Sequence, residues 1–234
     1  MLKVEDLKIS LGKTKILSTS VLTIQSGLWA LVGRNGSGKS SFLNTILQLK
    51  EPLEGQILLQ SKAIQEWGKQ EISKTISAVF TKPSIFGNLS VFDVVKLGRI
   101  PYSNAFGVGL KDDDDLTQKA IDIIGINDLV EKTFSTISDG EKQLVMIARA
   151  IAQNTPIIIL DEPTAFLDIV NKQTIIRLLR KISNDMNKVI LFSTHDVNLI
   201  PEVCDGMLWI DNGQMYSSEN SADFEQTINT LFEI

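Results

Sequence analysis

This chain is poor in several things, and each shortage removes a class of function. It has one cysteine, Cys204, so no disulfide can form within it, which suits a reducing cytosol. It has one histidine, His195, which excludes a metal centre built on several imidazoles. No stretch approaches ~18 uninterrupted apolar residues, so no membrane-spanning helix is encoded. The first residues, MLKVEDLK, carry an acidic pair and no apolar stretch, and do not read as a signal peptide. Basic residues are not in excess: the net charge of −5 argues against nucleic acid as a partner. No internal repeat or low-complexity linker breaks the chain. Its 234 residues, 43% of them hydrophobic, suffice for one substantial domain with room for a sub-domain.

What is present is sharper. Residues 33–40 read Gly-Arg-Asn-Gly-Ser-Gly-Lys-Ser and satisfy every fixed position of the phosphate-binding pattern G-x-x-x-x-G-K-[ST]. The glycines let successive backbone N–H groups turn inward around phosphate oxygens. Lys39 brings a point charge to the β- and γ-phosphates, and the Ser40 hydroxyl can ligate Mg²⁺. The apolar run 28–32 before the loop reads as a buried strand. Phe42, Leu43, Ile46, Leu47 and Leu49 after it follow helical spacing.

The rest of the chain arranges itself around this motif. Alternating residues 2–11 predict a strand, with 16–24 as its partner, and further strands are expected at 57–60 and 77–80. Residues from about 84 to 153 read as mostly helical. Ser90 and Asp93 form a capping box ahead of a helix through Leu97, Leu116–Ile124 is a second helix ended by Gly125, and Lys142–Gln153 is a third. Strands at 157–160 and 188–193 then alternate with a helix at 169–182. Asn212-Gly213 marks a hairpin between 207–210 and 214–217, and Ser221–Phe232 reads as a surface helix. The acidic run Asp112–Asp115 reads as a solvated loop leading into a helix. Trp29, Phe42 and Phe80 are expected in the core and Cys204 buried and inert. Arg99 and Tyr102 fit either a partner interface or a solvated loop. The pattern is that of a nucleotide-binding α/β core with a helical insertion.

Three further segments carry chemistry. Asp161 and Glu162 follow a buried strand directly, where open α/β sheets place ligand-binding groups. Alone they would be an acidic turn. Beside a phosphate loop, Asp161 becomes a Mg²⁺ ligand and Glu162 a group that orients or deprotonates water. His195 ends the next central strand at the same sheet edge and can donate a hydrogen bond to a γ-phosphate. Ser138-Asp139-Gly140-Glu141 opens a helix, as an anion site, as a plain capping box, or as both.

Taken in order, the phosphate loop, ISDGEKQ, ILDEP, Phe166-Leu167-Asp168 and Thr194-His195-Asp196 resemble the motifs of ATP-binding cassette (ABC) transporter ATPases, over nearly all of the chain. Val94–Tyr102 further resembles the V-x-L-G-R-x-P segment of importers of iron chelates, haem and cobalamin, as does Ala150–Pro156 ahead of the DE strand. The resemblance implies a RecA-like P-loop NTPase core (1–83 and 154–234) with an antiparallel β sub-domain and a helical sub-domain at 84–153. It implies ATP bound by Gly33, Arg34, Asn35, Gly36, Ser37, Gly38, Lys39, Ser40 and Ser41, with Leu11 beside the base. Mg²⁺ would be held by Ser40 and Asp161, with Thr81 a weak third ligand, and Glu162, His195 and Lys39 would be catalytic.

The implied partners are a second copy, joined head to tail so that its Ser138–Glu141 covers the ATP and its Asp168 signals across the dimer, and integral membrane permease subunits. An extracytoplasmic solute-binding protein would complete the complex, and the chain would sit on the cytoplasmic face of the membrane. Other members of the resemblance serve exporters or other importers, or are soluble proteins acting on DNA, ribosomes or cluster assembly. No heptad run separates Lys39 from Asp161, as DNA-tethering members would require, and there is one cassette where ribosomal members generally have two. A small-molecule kinase would share the phosphate loop, but ISDGEKQ and His195 argue against it.

Departures from the family pattern carry expectations of their own. Thr81 stands where Gln is usual and is too short to span the same gap, which predicts slow or partner-dependent hydrolysis. Leu11 replaces a stacking aromatic, which predicts weaker discrimination between bases. Asp139 and Glu141 replace Gly and Gln; carboxylates aimed at a γ-phosphate would oppose ATP, so both should point away, with Glu141 turned back to the Ser138 N–H.

Overall fold

The structure, a computed structural model, describes residues 1–12, 14–81, 87–103, 109–165 and 167–232, with Leu11 described by its backbone alone. Along the chain lie β1 (Leu2–Leu11), β2 (Thr14–Ser18), β3 (Val21–Ile24), β4 (Gly27–Gly33), α1 (Lys39–Ile46), β5 (Glu54–Leu59), β6 (Lys62–Ala63), α2 (Lys69–Ser73) and β7 (Ile76–Val79). They are followed by α3 (Val91–Lys96), α4 (Asp113–Ile124), α5 (Asp139–Ala152), β8 (Ile157–Asp161), α6 (Ile169–Asp185), β9 (Val189–Ser193), α7 (Ile200–Val203), β10 (Gly206–Asp211), β11 (Gln214–Ser218) and α8 (Ala222–Phe232).

One sheet runs through the molecule in the order β6-β5-β1-β2-β11-β10-β4-β9-β8-β7, with β3 also on β1. From β10 to β7 it is parallel. Strands covered on both faces read as continuous apolar runs, and β4 and β9 are buried at every position. The strand period of two divides their side chains. Leu28, Ala30 and Val32 join α3, α4, α5, α6 and α8 in one core, while Trp29 and Leu31 join α1 and β1 in the other. In the other half β1 pairs antiparallel with β2, β3 and β5, and β11, antiparallel to β10, meets β2 in a parallel pairing.

The partner expected at 16–24 is two strands. β2 pairs with the far half of β1 and β3 with the near half, and the break faces Asp6, whose φ of 46° interrupts the pleat. Gly125 ends α4 in the left-handed conformation, as expected. Asn212 and Gly213 both take positive φ, the geometry of a tight hairpin turn. The C-terminal helix is amphipathic, burying Phe224, Ile228 and Leu231. Trp29 and Phe42 are fully buried, but Phe80 is 39% exposed because it lies one residue beyond β7 and leaves the sheet.

Arg99 corrects the sequence reading most. It is neither at a surface nor in a solvated loop but 5% exposed. Its Nε donates to Asp113 Oδ1 at 2.9 Å, its Nη1 donates to the Ala152 carbonyl at 2.8 Å, and its guanidinium lies 4.1 Å from the centre of the Tyr102 ring. Asp113, expected in solvent, is therefore buried as its counter-ion, with Oδ2 accepting from Leu110 N at 2.7 Å. Gly98 has no room for a side chain: a Cβ there would stand 2.3 Å from the Arg149 carbonyl oxygen. The Gly98-Arg99 segment is thus pressed onto the C-terminal end of α5, where the guanidinium satisfies carbonyls that the helix leaves open.

Candidate functional site

Two of the three candidate segments meet at the carboxyl edge of the parallel strands, and the third opens α5. The first is the loop between β4 and α1. Gly33 must lack a side chain, because a Cβ would stand 2.6 Å from Ser37 Oγ. Gly36 and Gly38 have φ of 78° and 110°, a region other residues reach only with strain. Gly38 is the N-cap of α1 and offers no side-chain cap, and the first turn carries no acid, so the helix presents its N–H groups to an anion. Lys39 is buried and donates to the Gly33 carbonyl at 2.8 Å and the Arg34 carbonyl at 3.4 Å. Burial pushes its pKa down, against the upward pull of the Glu162 and Asp161 carboxylates, which shows how near the second segment lies. Ser40 is exposed beside it. A cleft of about 840 Å³ runs along the loop past Ile16, Arg34, Asn35 and Trp209 to Thr230. Arg34 Nε donates to the Leu231 carbonyl of α8 at 3.3 Å.

The second segment is the pair of neighbouring strand ends. Register places Asp161 of β8 opposite Ser193 of β9. Ser193 Oγ donates to Asp161 Oδ1 at 2.5 Å and accepts from Glu162 N at 2.9 Å. Thr81 Oγ1 donates to the Asp161 carbonyl at 3.1 Å, so its hydroxyl proton is committed to the backbone. Glu162 has a φ of 51° and places Oε2 2.8 Å from His195 Nδ1. The imidazole is more than half exposed, while the carboxylate is largely covered. With Nδ1–H on Glu162, a neutral His195 presents Nε2 as an acceptor; it donates from both nitrogens only when protonated.

The third segment opens α5. Ser138 is its N-cap, and the expected capping box is present: Ser138 N donates to Glu141 Oε2 at 2.7 Å and Glu141 N donates to Ser138 Oγ at 3.3 Å. The Ser138 hydroxyl also donates to Glu141 Oε2 at 2.8 Å. The bonds from Ser138 hold the Glu141 carboxyl below the usual carboxylate range, the backbone bond being the stronger cause. Asp139 turns to Lys142 at 2.9 Å. Asp168 caps α6, accepting from Asn171 N at 2.8 Å. The Leu11 side chain and Phe166 lie outside the described residues.

The donor set suits Mg²⁺. Among the described residues no cluster of three or more His, Cys, Asp or Glu could cage a metal. One carboxylate, Asp161, accepts from Ser193 on Oδ1, has no partner on Oδ2 among the described residues, and lies close enough to Lys39 of the phosphate loop to act on its ammonium. That matches an ion that binds through one or two carboxylates and the substrate phosphates. Sequence reasoning passed over Ser193. Its only signal was a hydroxyl ending the otherwise apolar run VILFS.

A glycine loop entering a helix from a central parallel strand, with an acid pair at the end of the strand two places along, defines a P-loop nucleotide hydrolase. The comparisons then fix the family. The ABC transporter family model matches residues 17–165. An ABC transporter ATP-binding protein of Methanocaldococcus jannaschii is 34% identical, covering 100% of this chain and 82% of that relative. The petrobactin import ATP-binding protein FpuD of Bacillus anthracis is 31% identical, covering 92% of this chain and 80% of its own. A metal-chelate-type ABC transporter solved in an inward-facing conformation superposes with a TM-score of 0.83 at 27% identity, over 100% of this chain and 88% of that one. The chain belongs to the ABC transporter family. It has that family's ATPase cassette fold, binds nucleotide, and couples ATP hydrolysis to transport through pairing of cassettes with membrane permease components.

Proposed function

We propose that this chain is the ATP-hydrolysing subunit of an importer for iron-siderophore, haem or cobalamin, working on the cytoplasmic face of the cell membrane. The observation that carries the reading is similarity to the petrobactin import protein over nine-tenths of the chain. The locked Gly98-Arg99-x-Pro101 segment supports it, since that segment resembles the importer pattern. Two copies would join head to tail around two ATP molecules, each copy a core (1–83, 154–234) carrying a helical sub-domain (84–153). A solute-binding protein outside the membrane would deliver the chelate, and no nucleic acid takes part.

Residues 33–41 would cradle the phosphates, Lys39 exchanging its bonds to the Gly33 and Arg34 carbonyls for phosphate oxygens. Ser40 and Oδ2 of Asp161 would hold Mg²⁺, which when bound neutralises charge on the phosphates. Glu162 would align water against the γ-phosphate, with His195 at 2.8 Å fixing the carboxylate's direction. Because the Ser138 hydroxyl is bonded to Glu141, it must turn away from that carboxylate to reach ATP on the opposite copy. Asp168, at the head of α6, would relay closure between copies.

The test is uptake. A strain lacking the chain should lose accumulation of radiolabelled ferric siderophore, haem or cobalamin. The wild-type chain should restore it and Glu162→Gln should not. Unchanged uptake of all three solutes in the deletion strain would refute the importer reading.

A further inference from the structure

We propose that Ser193 is a positioning residue for hydrolysis, setting the direction of the Glu162 carboxylate by holding the peptide unit between Asp161 and Glu162. The inference rests on the reading of Glu162 as the group that aligns water. That peptide unit is gripped at both ends by hydroxyls from the flanking strand ends. Its N–H donates to Ser193 Oγ at 2.9 Å, and its carbonyl accepts from Thr81 Oγ1 at 3.1 Å.

Ser193 does two things with one oxygen. It accepts from the Glu162 backbone and donates to Asp161 Oδ1 at 2.5 Å, so it couples the metal-side carboxylate to the water-side residue. It is completely buried, so no solvent can replace either bond. The grip matters because Glu162 is in the left-handed region at φ 51°, where a residue with a Cβ remains only when its surroundings enforce it. Rotation of that peptide would swing the carboxylate off His195, which it meets at 2.8 Å. Asp161 loses direction by the same release, since its Oδ1 is tied to Ser193.

The experiment is steady-state MgATP turnover by the purified full chain, for wild type, Ser193→Ala, Ser193→Thr, Ser193→Val and Glu162→Gln. Thr and Val have the same shape and differ in the hydroxyl, so a packing role would treat them alike. We expect Ala and Val to lower kcat about tenfold with KM for ATP within about twofold, and Thr to keep at least half of wild-type kcat, a hydrogen bond to a charged group being at stake. Equal kcat in Thr and Val, or a rise in KM with kcat unchanged, would overturn the proposal. If thermal melting shows Ser193→Thr to be unfolded, the kcat-against-KM split in Ser193→Ala decides alone. Glu162→Gln separates the two claims. Lost turnover there with normal Ser193→Ala refutes only the role of Ser193, whereas normal turnover in Glu162→Gln refutes the role of Glu162 itself.

Discussion

Replacing Arg99 by Met should destabilise this protein more than most single substitutions, and the size follows from what would be left behind. Arg99 and Asp113 are 5% and 4% exposed at the side chain. Removing the guanidinium leaves the Asp113 carboxyl buried without its counter-ion, with Leu110 N as its remaining hydrogen-bond donor among the described residues. It also leaves the Ala152 carbonyl at the end of α5 without its donor. Breaking a buried pair from one side costs about 3–5 kcal/mol. In a chain of this size each kcal/mol moves the midpoint by roughly 2–4 °C, so Arg99→Met should melt roughly 6–20 °C lower. The double variant Arg99→Met, Asp113→Leu removes both charges and should recover most of the loss, because well-packed apolar residues replace a buried pair at little cost. Arg99→Lys should fall between, since an ammonium lacks the planar fork that serves Asp113 and the carbonyls together. Thermal melting of these four proteins together with Asp113→Leu closes the cycle and gives the coupling. A single variant within about 1 kcal/mol of wild type, or a double variant no more stable than the single, would refute the account of this pair.

Other consequences are more local. Burial pushes the Cys204 thiol up to about 12 from an ordinary 9.0, so the thiolate fraction near pH 8 falls by roughly a thousandfold and the native protein should resist an aromatic disulfide reagent that labels the unfolded chain at once. The sign follows: stability is unaffected by this group below about pH 9 and declines as pH rises toward 12, and Cys204→Ala should remove that part of the decline. Lys39→Met should weaken MgATP binding at least ~tenfold, read by a fluorescent nucleotide, since it deletes a charge-assisted contact to phosphate; unaltered affinity would contradict the loop assignment. The Glu141 carboxyl is held below its usual range, so its support of α5 is complete above that range and fades as pH falls through the lowered value; Glu141→Gln should flatten the acid side of the stability profile. Since Asp139 and Glu141 turn to Lys142 and Ser138, replacing them with Gly and Gln should change ATP-driven dimerisation little, and a large gain by size-exclusion chromatography would show that they oppose the nucleotide.

Sequence legibility here depended on the distance over which each interaction acts. The phosphate loop, the Ser90 and Ser138 caps, the Gly125 stop and the Asn212-Gly213 turn are local, and the backbone demands of a few adjacent residues fix them. The buried strands β4, β8 and β9 were equally readable, because a parallel strand covered on both faces must be apolar throughout. Arg99 was misread because its partners are remote: Asp113 is fourteen residues on, and the Ala152 carbonyl belongs to another helix. A buried and a solvated arginine are the same letter until the fold brings a counter-ion. Phe80 failed for the opposite reason, since aromatic character argues for the core, yet the strand ended one residue too early. Ser193 escaped notice because its role exists only through the register that sets it against Asp161.

The central claim is that this chain turns ATP over in partnership with a membrane permease. The most direct measurement is to tag Glu162→Gln, express it in the native host, solubilise the membranes with and without MgATP, and identify what copurifies. The account predicts a multi-spanning membrane protein in stoichiometric amount, together with a second copy of the chain when MgATP is present. Recovery of soluble partners alone, from protein shown to bind ATP, would contradict it.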